Sequence, residues 1–219
     1  MAQIFGPKAN GITQIVLVTA ALLAAVAVIL LVVLPRSSWA TLVGRAPQQP
    51  VPFSHQHHVA GLGLDCRYCH TGVEDSAFAG LPPTETCMTC HSQIWTNADL
   101  LAPIRDSFTD RQPVAWQRVN NLPDYVFFNH AIHVNNGVGC VSCHGRIDRM
   151  PLTARGAPLT MQWCLDCHRA PGPNLRPPEA ITRMDWQPET DRRELAEYLL
   201  DAYDIPHADR LTDCYVCHR

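Results

Sequence analysis

The ten cysteines of this 219-residue chain all belong to one repeated pattern, Cys-x-x-Cys-His, which occurs five times. This pattern is the attachment signature of a c-type haem, in which both thiols become thioethers and the histidine binds the iron. The spacing is about one helical turn, so the two sulfurs lie on the same side of the chain. The sequence therefore predicts five covalently bound haems, attached at Cys66 and Cys69, Cys87 and Cys90, Cys140 and Cys143, Cys164 and Cys167, and Cys214 and Cys217.

Other uses of paired cysteines fit this sequence less well. A zinc ribbon combines two Cys-x-x-Cys pairs around one metal and does not require a histidine after each pair. A disulfide framework has varied spacings, and a thioredoxin-like motif occurs once in a chain. Because the five boxes leave no cysteine over, we favour haem attachment.

Each box supplies one histidine for the proximal side of an iron: His70, His91, His144, His168 and His218. Haem iron that only carries electrons is usually six-coordinate, which requires a second axial ligand and leaves no open position for a substrate. The six other histidines are the candidates for this distal position: His55, His57, His58, His130, His133 and His207.

A repeated element supplies four of these candidates. The stretch FSHQHH at 53–58 precedes the first two boxes, and FNHAIH at 128–133 precedes the third and fourth. Histidines at i and i+3 lie on one helical face, so a pair cannot approach one iron from opposite sides and should reach two different haems. We therefore predict four distal ligands, His55, His58, His130 and His133. Because Ile132 replaces His57 in the second copy, we expect His57 to lie at the surface or beside a ligand.

The fifth distal ligand is open between a histidine and two methionines. His207 lies seven residues before Cys214, Met150 follows the third box, and Met161 precedes the fourth. A methionine ligand would raise the potential of that haem above that of its bis-histidine neighbours.

The stretch at residues 15–34 is almost entirely apolar and matches the roughly 20 residues that cross a bilayer as a helix. The apolar core of a signal peptide is about 7 to 15 residues long, so we favour a membrane anchor, although SWA at 38–40 resembles a cleavage site. We predict an N-terminal segment over 1–36 with the membrane helix at about 12–35. Covalent haem attachment is expected on the outer face of a bacterial membrane, which places the rest of the chain on the periplasmic side.

Beyond the anchor we predict a proline-rich linker over 37–52 and a pentahaem domain over 53–219. The domain contains repeat units at about 53–91 and 128–168 and a fifth haem at 207–219. Short helices are expected near 98–108 and 191–203, the latter capped by Asp191 and Glu194. The fold class is therefore mostly irregular, with short helices around stacked c-type haems and one transmembrane helix. The net charge of -3 argues against nucleic-acid binding.

The chain resembles the pentahaem, membrane-anchored cytochrome c subunit of alternative complex III, a quinol-oxidising respiratory assembly. Besides the boxes, the resemblance is carried by WQRVNNLPDYVFFNHAIHVNNGVGCVSCHG at 116–145, PLTMQWCLDCHR at 158–169 and LTDCYVCHR at the C-terminus. The Phe-x-His-x-x-His element alone also occurs in cytochrome c3 and c7-like proteins, so it indicates only the wider multihaem class.

The resemblance implies an electron-transfer subunit without catalytic residues of its own, which passes electrons from quinol through five haems to a periplasmic acceptor or a terminal oxidase. It implies as partners an iron-sulfur subunit related to molybdopterin oxidoreductases, polytopic quinol-binding membrane subunits and a monohaem cytochrome c. The alternative is a membrane-anchored multihaem quinol dehydrogenase or a donor to a periplasmic reductase. A multihaem enzyme would need an open iron, and enough distal candidates exist to close all five.

Overall fold

The apolar N-terminal stretch forms one helix, α1 (Ala9–Val33), followed by a 3-10 turn at Leu34–Arg36 and a short helix α2 (Ser38–Thr41). In this structure, a computed structural model that describes residues 6–218, no residue of α1 is buried by the described chain. The helical stretch Ala9–Thr41 is long and apolar enough to cross a membrane, with a hydropathy of 3.2. This helix fits the predicted single-pass membrane anchor. The chain divides into two units between Leu42 and Val43.

The second unit consists of short helices joined by irregular segments. Its α-helices are α3 (Cys66–Cys69), α4 (Thr84–His91), α5 (Ala102–Asp110), α6 (His130–Asn135), α7 (Val141–His144), α8 (Met161–Arg169), α9 (Arg192–Ala202), α10 (Ala208–Leu211) and α11 (Cys214–Cys217). A π-helical segment covers Gln56–Gly61, and 3-10 turns cover Asp99–Leu101, Ile147–Arg149, Gly172–Asn174 and Pro178–Ala180. Within residues 6–218 there is no strand, and the one isolated bridge joins Val138 to Leu175. The predicted fold class of short helices in a largely irregular chain is confirmed.

Each haem box forms one turn of helix, as the cysteine spacing predicts, and polar side chains begin several of these turns. Asp65 accepts a hydrogen bond from the Arg67 N–H at the start of α3, and Asp213 accepts one from the Tyr215 N–H at the start of α11. Thr160 caps α8 in the same way. These caps satisfy amide groups that a first helical turn otherwise leaves unpaired, and they fix where each box begins.

The two helices predicted outside the boxes are also present. A 3-10 turn and α5 occupy residues 99–110, and α9 begins after Asp191, whose carboxylate accepts hydrogen bonds from the Arg193 and Glu194 N–H groups. The apolar face of α9 buries Leu199. Its C-terminal neighbour Tyr203 donates a hydrogen bond of 2.8 Å to the Arg176 carbonyl. These contacts place α9 on the segment that follows the fourth box.

Residues 43–52 of the segment predicted as a linker belong to the second unit and are hydrogen-bonded within it. Gly44 donates to the Arg155 carbonyl at 2.8 Å, and the side chain of Gln49 exchanges two hydrogen bonds with the backbone of Gln117. Val51 is buried. Proline content predicted an extended segment, but it carried no information about these backbone partners.

Few apolar side chains are buried by the protein itself. The buried hydrophobic residues among those described are Val51, Ile104, Val134, Ala157, Leu175, Ala180, Ile181, Met184 and Leu199, and no large side chain among them is fully enclosed. A domain of this length ordinarily builds a much larger apolar core. Within the polypeptide itself, caps and hydrogen bonds between the segments therefore carry a larger share of the stability than in a domain with an ordinary core.

Asp65 is the clearest single test of this dependence, because it caps α3, pairs with Arg67 at 2.8 Å and accepts a hydrogen bond of 2.9 Å from the Thr182 hydroxyl. We expect Asp65→Ala to lower the free energy of unfolding by about 1 kcal/mol at pH 7, the typical value of a lost cap. Urea unfolding followed by circular dichroism measures this difference. Asp75→Ala, which removes an exposed carboxylate, is the matched control.

The same stabilisation should depend on pH. Hydrogen bonding from Arg67 lowers the pKa of Asp65 to about 2, whereas an aspartate in the unfolded chain titrates near about 3.9. A depressed folded-state pKa stabilises the fold above the unfolded value and loses that effect as pH falls toward the folded one. The difference between the wild type and Asp65→Ala should therefore shrink between pH 4 and pH 2. A difference that stays constant over this range would contradict the role given to the carboxylate.

Candidate haem sites

The structure brings four of the box histidines opposite the four histidines of the repeated element. His55 faces His70 with ring centres 6.5 Å apart, and His58 faces His91 at 6.3 Å. In the second repeat, His130 faces His144 at 6.4 Å and His133 faces His168 at 6.0 Å. The two histidines of each i, i+3 pair thus face two different boxes, which is the arrangement that their spacing predicts.

These separations match the space that one metal ion needs between two imidazoles. With metal–nitrogen bonds of about 2.0 Å and each ring centre about 1.1 Å behind its nitrogen, two opposed imidazoles on one ion have centres about 6.2 Å apart. Aromatic rings in direct contact have centres from about 4.5 to 7 Å apart, but all four separations here lie within about 0.3 Å of the value for rings on one ion. The four pairs are therefore spaced for an ion between the rings, and the residues present fit iron with two axial histidines.

The hydrogen bonds of the rings leave the correct nitrogen free. In the first repeat, the Nδ1 atoms of His58, His70 and His91 lie 2.9, 2.7 and 3.2 Å from the carbonyl oxygens of Ser54, Gly80 and Ile94. An imidazole bound to a metal usually donates its other N–H to a carbonyl or similar group, which fixes the tautomer and the orientation of the ring. Nε2 is then the nitrogen available to the iron.

Most histidines of the second repeat and the histidine of the fifth box also have a backbone carbonyl at Nδ1. The Nδ1 atoms of His130, His133, His168 and His218 lie 2.9, 2.7, 2.8 and 3.1 Å from the carbonyl oxygens of Ala77, Asn129, Leu211 and Tyr125. Two rings use side chains instead. The Nδ1 of His55 contacts the Thr153 hydroxyl at 3.0 Å, and that of His144 contacts the Asn120 amide at 3.1 Å.

One phenylalanine ring packs against both histidines of each i, i+3 pair. Phe53 contacts His55 edge-on at 4.9 Å and stacks on His58 at 4.4 Å. Phe128 does the same with its pair, at 4.7 and 4.6 Å. One aromatic ring thus fixes two imidazoles at different angles, which explains why the aromatic residue recurs in both copies of the element.

Burial keeps several of these imidazoles neutral. It lowers the pKa of His55 to about 4, with further lowering from His70, and it lowers the pKa of His144 to about 4, with further lowering from His130. Burial also lowers the pKa of His133. A neutral imidazole is the form that binds a metal, so these side chains are suited to ligation near pH 7.

The remaining histidines have different surroundings. His57 stacks on Trp95 at 6.2 Å and touches His58 edge-on, so it lies beside a candidate ligand, as expected. His218 has a ring contact with Tyr125, with ring centres 5.8 Å apart. Among residues 6–218, no histidine ring is paired with His218 as in the other four boxes. His207 is exposed and precedes α10.

The two candidate methionines also have different surroundings. Met150 belongs to the second repeat and contacts the first, because its carbonyl accepts from the Gln56 N–H; its sulfur accepts from the Ala154 N–H at 3.5 Å. Met161 starts α8, and its side chain is 68% exposed. The Met161 side chain is therefore accessible to an iron, whereas the Met150 sulfur already accepts a hydrogen bond.

The boxes are connected in a definite order. The Tyr68 hydroxyl in the first box lies 3.0 Å from the Thr89 hydroxyl in the second. The first box also lies near the third, because Thr182 donates a hydrogen bond to Asp65 ahead of the first box while the adjacent Ile181 carbonyl accepts one from the Cys140 N–H of the third. The first box therefore lies between the second and the third.

The order continues through the second repeat. Helix α6 carries one histidine that faces the third box and another that faces the fourth. The fourth box in turn contacts the fifth, because His168 bonds to the Leu211 carbonyl just ahead of it and Cys164 lies near Cys217. The spatial order is second, first, third, fourth and fifth, which differs from the order in the sequence.

The two ends of this series are the most accessible. Cys90 in the second box and Cys214 in the fifth are exposed, whereas the other eight cysteines are partly buried. None of the ten cysteines forms a disulfide within the described part of the chain.

Sequence reasoning did not identify Asn120, Thr153 or the order of the boxes. Asn120 and Thr153 lie 24 and 98 residues from their histidine partners, so no local pattern connects them. The only local signal in the sequence was the phenylalanine that precedes both histidine pairs, which indicated that each phenylalanine and its two histidines form one structural element.

Comparison with known proteins supports the haem assignment. The chain is 38% identical over 98 residues to a protein of Nitratidesulfovibrio vulgaris named "Menaquinone reductase, multiheme cytochrome c subunit". The match covers 44% of this chain and 46% of that relative, so the chain spans less than half of the relative's length. No known protein-family model matches the chain. The similarity agrees with the boxes in supporting covalently bound haem c and a multihaem cytochrome organisation.

The angles between the opposed rings predict the paramagnetic resonance spectrum of the oxidised protein. The planes are nearly parallel in His55/His70 and His130/His144, at 8° and 9°, but 67° apart in His58/His91. Parallel imidazoles interact with the same iron d orbital, so its energy separates from that of the second d orbital of the same type. Crossed imidazoles interact with one of these orbitals each, so the two energies stay nearly equal. We expect two rhombic low-spin signals and one signal with much larger anisotropy.

Low-temperature resonance spectra of the oxidised protein measure these signals. His58→Met changes one ring of the crossed pair and should remove the strongly anisotropic signal while leaving the two rhombic ones. Rhombic signals alone in the wild type would contradict the crossed geometry of His58 and His91.

Proposed function

We propose that the chain is a membrane-anchored electron-transfer subunit that carries five covalent haems c. The five box histidines hold the proximal positions, and His55, His58, His130 and His133 hold the distal positions of four irons. Each haem, when bound, supplies one iron that exchanges a single electron. The chain's own residues attach the haems, align the axial imidazoles and set their surroundings.

The observation that carries this proposal is the set of four opposed imidazole pairs at 6.0 to 6.5 Å. An iron with two axial imidazoles has no position left for a substrate, which favours electron transfer over catalysis. The series of contacts between the boxes supports a relay with two accessible ends. The second box forms one end and the fifth box the other.

We further propose that the chain works within a quinol-oxidising membrane complex similar to alternative complex III. The apolar helix Ala9–Thr41 supports a single-pass anchor in the cytoplasmic membrane of a bacterium. The haem unit would lie on the periplasmic side, where covalent haem attachment takes place. The expected partners are an iron-sulfur subunit, polytopic quinol-binding subunits and a monohaem cytochrome c, with a periplasmic acceptor or a terminal oxidase beyond them.

The name of the similar protein favours a second candidate. That relative is a subunit of a menaquinone reductase, which suggests the same relay used in the opposite direction, from a periplasmic donor toward menaquinone. The arrangement of ligands is equally suited to both directions, because the potentials of the partners decide which way electrons flow. A chain that oxidises quinol by itself, or that donates to a periplasmic reductase, is the remaining alternative.

Met161 is our proposed distal ligand for the fifth iron, ahead of Met150 and His207. Met161 and Cys164 are three residues apart on α8 and so lie on one face of the helix. Cys164 lies near Cys217 of the fifth box, which brings this face toward that box. Met150, in contrast, is hydrogen-bonded to Gln56 of the first repeat and to Ala154 of its own repeat.

Binding of carbon monoxide to the reduced protein tests the whole ligand set. The wild type should bind none, because all five irons are six-coordinate. His58→Ala should open one iron and bind one carbon monoxide per chain, as measured by difference absorption spectra. His57→Ala, which removes the adjacent histidine, is the matched control and should bind none. Equal binding by both variants would contradict the assignment of His58.

The same titration tests the fifth site. Met161→Ala should bind one carbon monoxide per chain and lose the near-infrared charge-transfer band of a methionine-ligated iron, whereas Met150→Ala should retain the band. If Met161→Ala keeps the band and stays closed to carbon monoxide, another residue is the fifth ligand.

The function itself is tested by electron delivery from quinol. In the intact membrane complex, a short-chain quinol should reduce the haems of this chain, as seen by stopped-flow absorbance. The isolated chain in detergent should be reduced by dithionite but not by quinol. Quinol oxidation by the isolated chain would instead favour the dehydrogenase alternative, and reduction of menaquinone by the complex would favour the reverse direction.

A further inference from the structure

The histidine of the third box has an unusual hydrogen-bond partner. Of the nine histidines that the boxes and the repeated element supply as candidate ligands, seven have a backbone carbonyl at Nδ1, and His55 has the Thr153 hydroxyl. His144 alone faces a side-chain amide, with its Nδ1 3.1 Å from Nδ2 of Asn120. The other end of the same amide, Oδ1 of Asn120, is buried without a hydrogen-bond partner.

Iron ligation by His144 decides how this amide must be oriented. When Nε2 binds the metal, Nδ1 carries the proton and acts as a donor. A donor cannot bond to the amide NH₂, but it can bond to the amide oxygen. The two ends of an asparagine amide have nearly the same shape and exchange places by a half turn about the last side-chain bond. That half turn places Oδ1 on the Nδ1–H and gives the buried oxygen the partner that it otherwise lacks.

We propose that Asn120 is a positioning residue for His144, accepting the Nδ1–H bond through Oδ1 and thereby lowering the redox potential of the third haem. This inference depends on the proposed function, since it requires an iron on Nε2. An acceptor at Nδ1–H makes the imidazole more basic and a stronger donor to the metal. A stronger donor stabilises the ferric state more than the ferrous state, so the potential falls.

The surrounding chain is built to hold Asn120 in place. The preceding residues are fixed by the two hydrogen bonds between Gln49 and the backbone of Gln117, at 2.8 and 2.9 Å. The following carbonyl, that of Asn121, accepts a hydrogen bond from Arg155 at 3.1 Å. Asn120 is half-buried between these anchors, whereas the neighbouring Asn121 is exposed. The irregular segment between the two repeats thus positions the Asn120 amide against the His144 imidazole.

The position of the third box gives this contact a consequence for the whole relay. The third box is the middle member of the series, with the first and second boxes on one side and the fourth and fifth on the other. Electrons that cross the chain must pass this position. A side-chain substitution cannot remove a backbone carbonyl, but it can remove the Asn120 amide. The residue type at position 120 therefore determines the redox potential of the central haem.

A redox titration of the five haems, followed by absorbance and paramagnetic resonance, tests the proposal. Asn120→Leu removes the acceptor and should raise the potential of one haem. Asn120→Asp supplies a stronger acceptor and should lower the potential of the same haem below the wild-type value. Opposite shifts of one component are a signature that a merely structural role would not produce. The other four potentials should stay unchanged.

Asn121 provides the matched controls, because it is adjacent, exposed and of the same type. Asn121→Leu should shift no potential, and Asn121→Asp, which adds the same charge nearby, should shift none as far as Asn120→Asp does. If Asn120→Leu fails to mature, the comparison of the two aspartate variants decides the question. Unchanged potentials in the Asn120 variants, or shifts of the same sign, would overturn the inference.

The wild-type spectrum separates this inference from the proposed function. A wild type without low-spin bis-histidine signals would overturn the ligand assignment itself. A wild type that has these signals, together with Asn120 variants that leave every potential unchanged, would overturn only the role of Asn120.

Discussion

The organisation of this chain depends on one geometric constraint, the placing of imidazole rings in opposed pairs whose centres are spaced for a metal ion between them. Four such pairs occur, with ring centres 6.0 to 6.5 Å apart. Each ring is held in that position by a bond at Nδ1, mostly to a backbone carbonyl. Carbonyls are suited to this task because the backbone is fixed once the short helices and turns have formed. The rest of the second unit can therefore be understood as the means of holding these rings.

This constraint explains why the fold has so little regular structure. A cysteine box needs one helical turn, and a histidine pair needs one or two, so long helices and strands would add nothing to ligand placement. Short caps such as Asp65 and Asp213 then determine where each turn begins. The small buried apolar core has the same origin, because the side chains nearest the boxes are arranged for ligation and contact with a large cofactor rather than with one another.

The sequence was informative wherever chemistry imposes a fixed local spacing. It predicted a helical turn at each box, a largely irregular chain with short helices, the apolar N-terminal helix and the helix after Asp191. The i, i+3 spacing also predicted that His55 and His58 face different boxes. It could not predict contacts between distant segments, such as Thr153 with His55 or Asn120 with His144, because these depend on how the irregular segments fold together. The spatial order of the boxes was hidden for the same reason: the first box contacts both the second and the third, and only the tertiary structure shows that it lies between them.

We propose that all five boxes hold haem and that these haems organise the chain. The most direct measurement is the number of haems c per chain in the purified protein, obtained from the pyridine haemochromogen spectrum and the protein concentration, combined with titration of thiols after denaturation. The account predicts five haems per chain and no reactive thiol, because all ten cysteines are consumed as thioethers. Fewer than five haems, with two free thiols for each one missing, would contradict it.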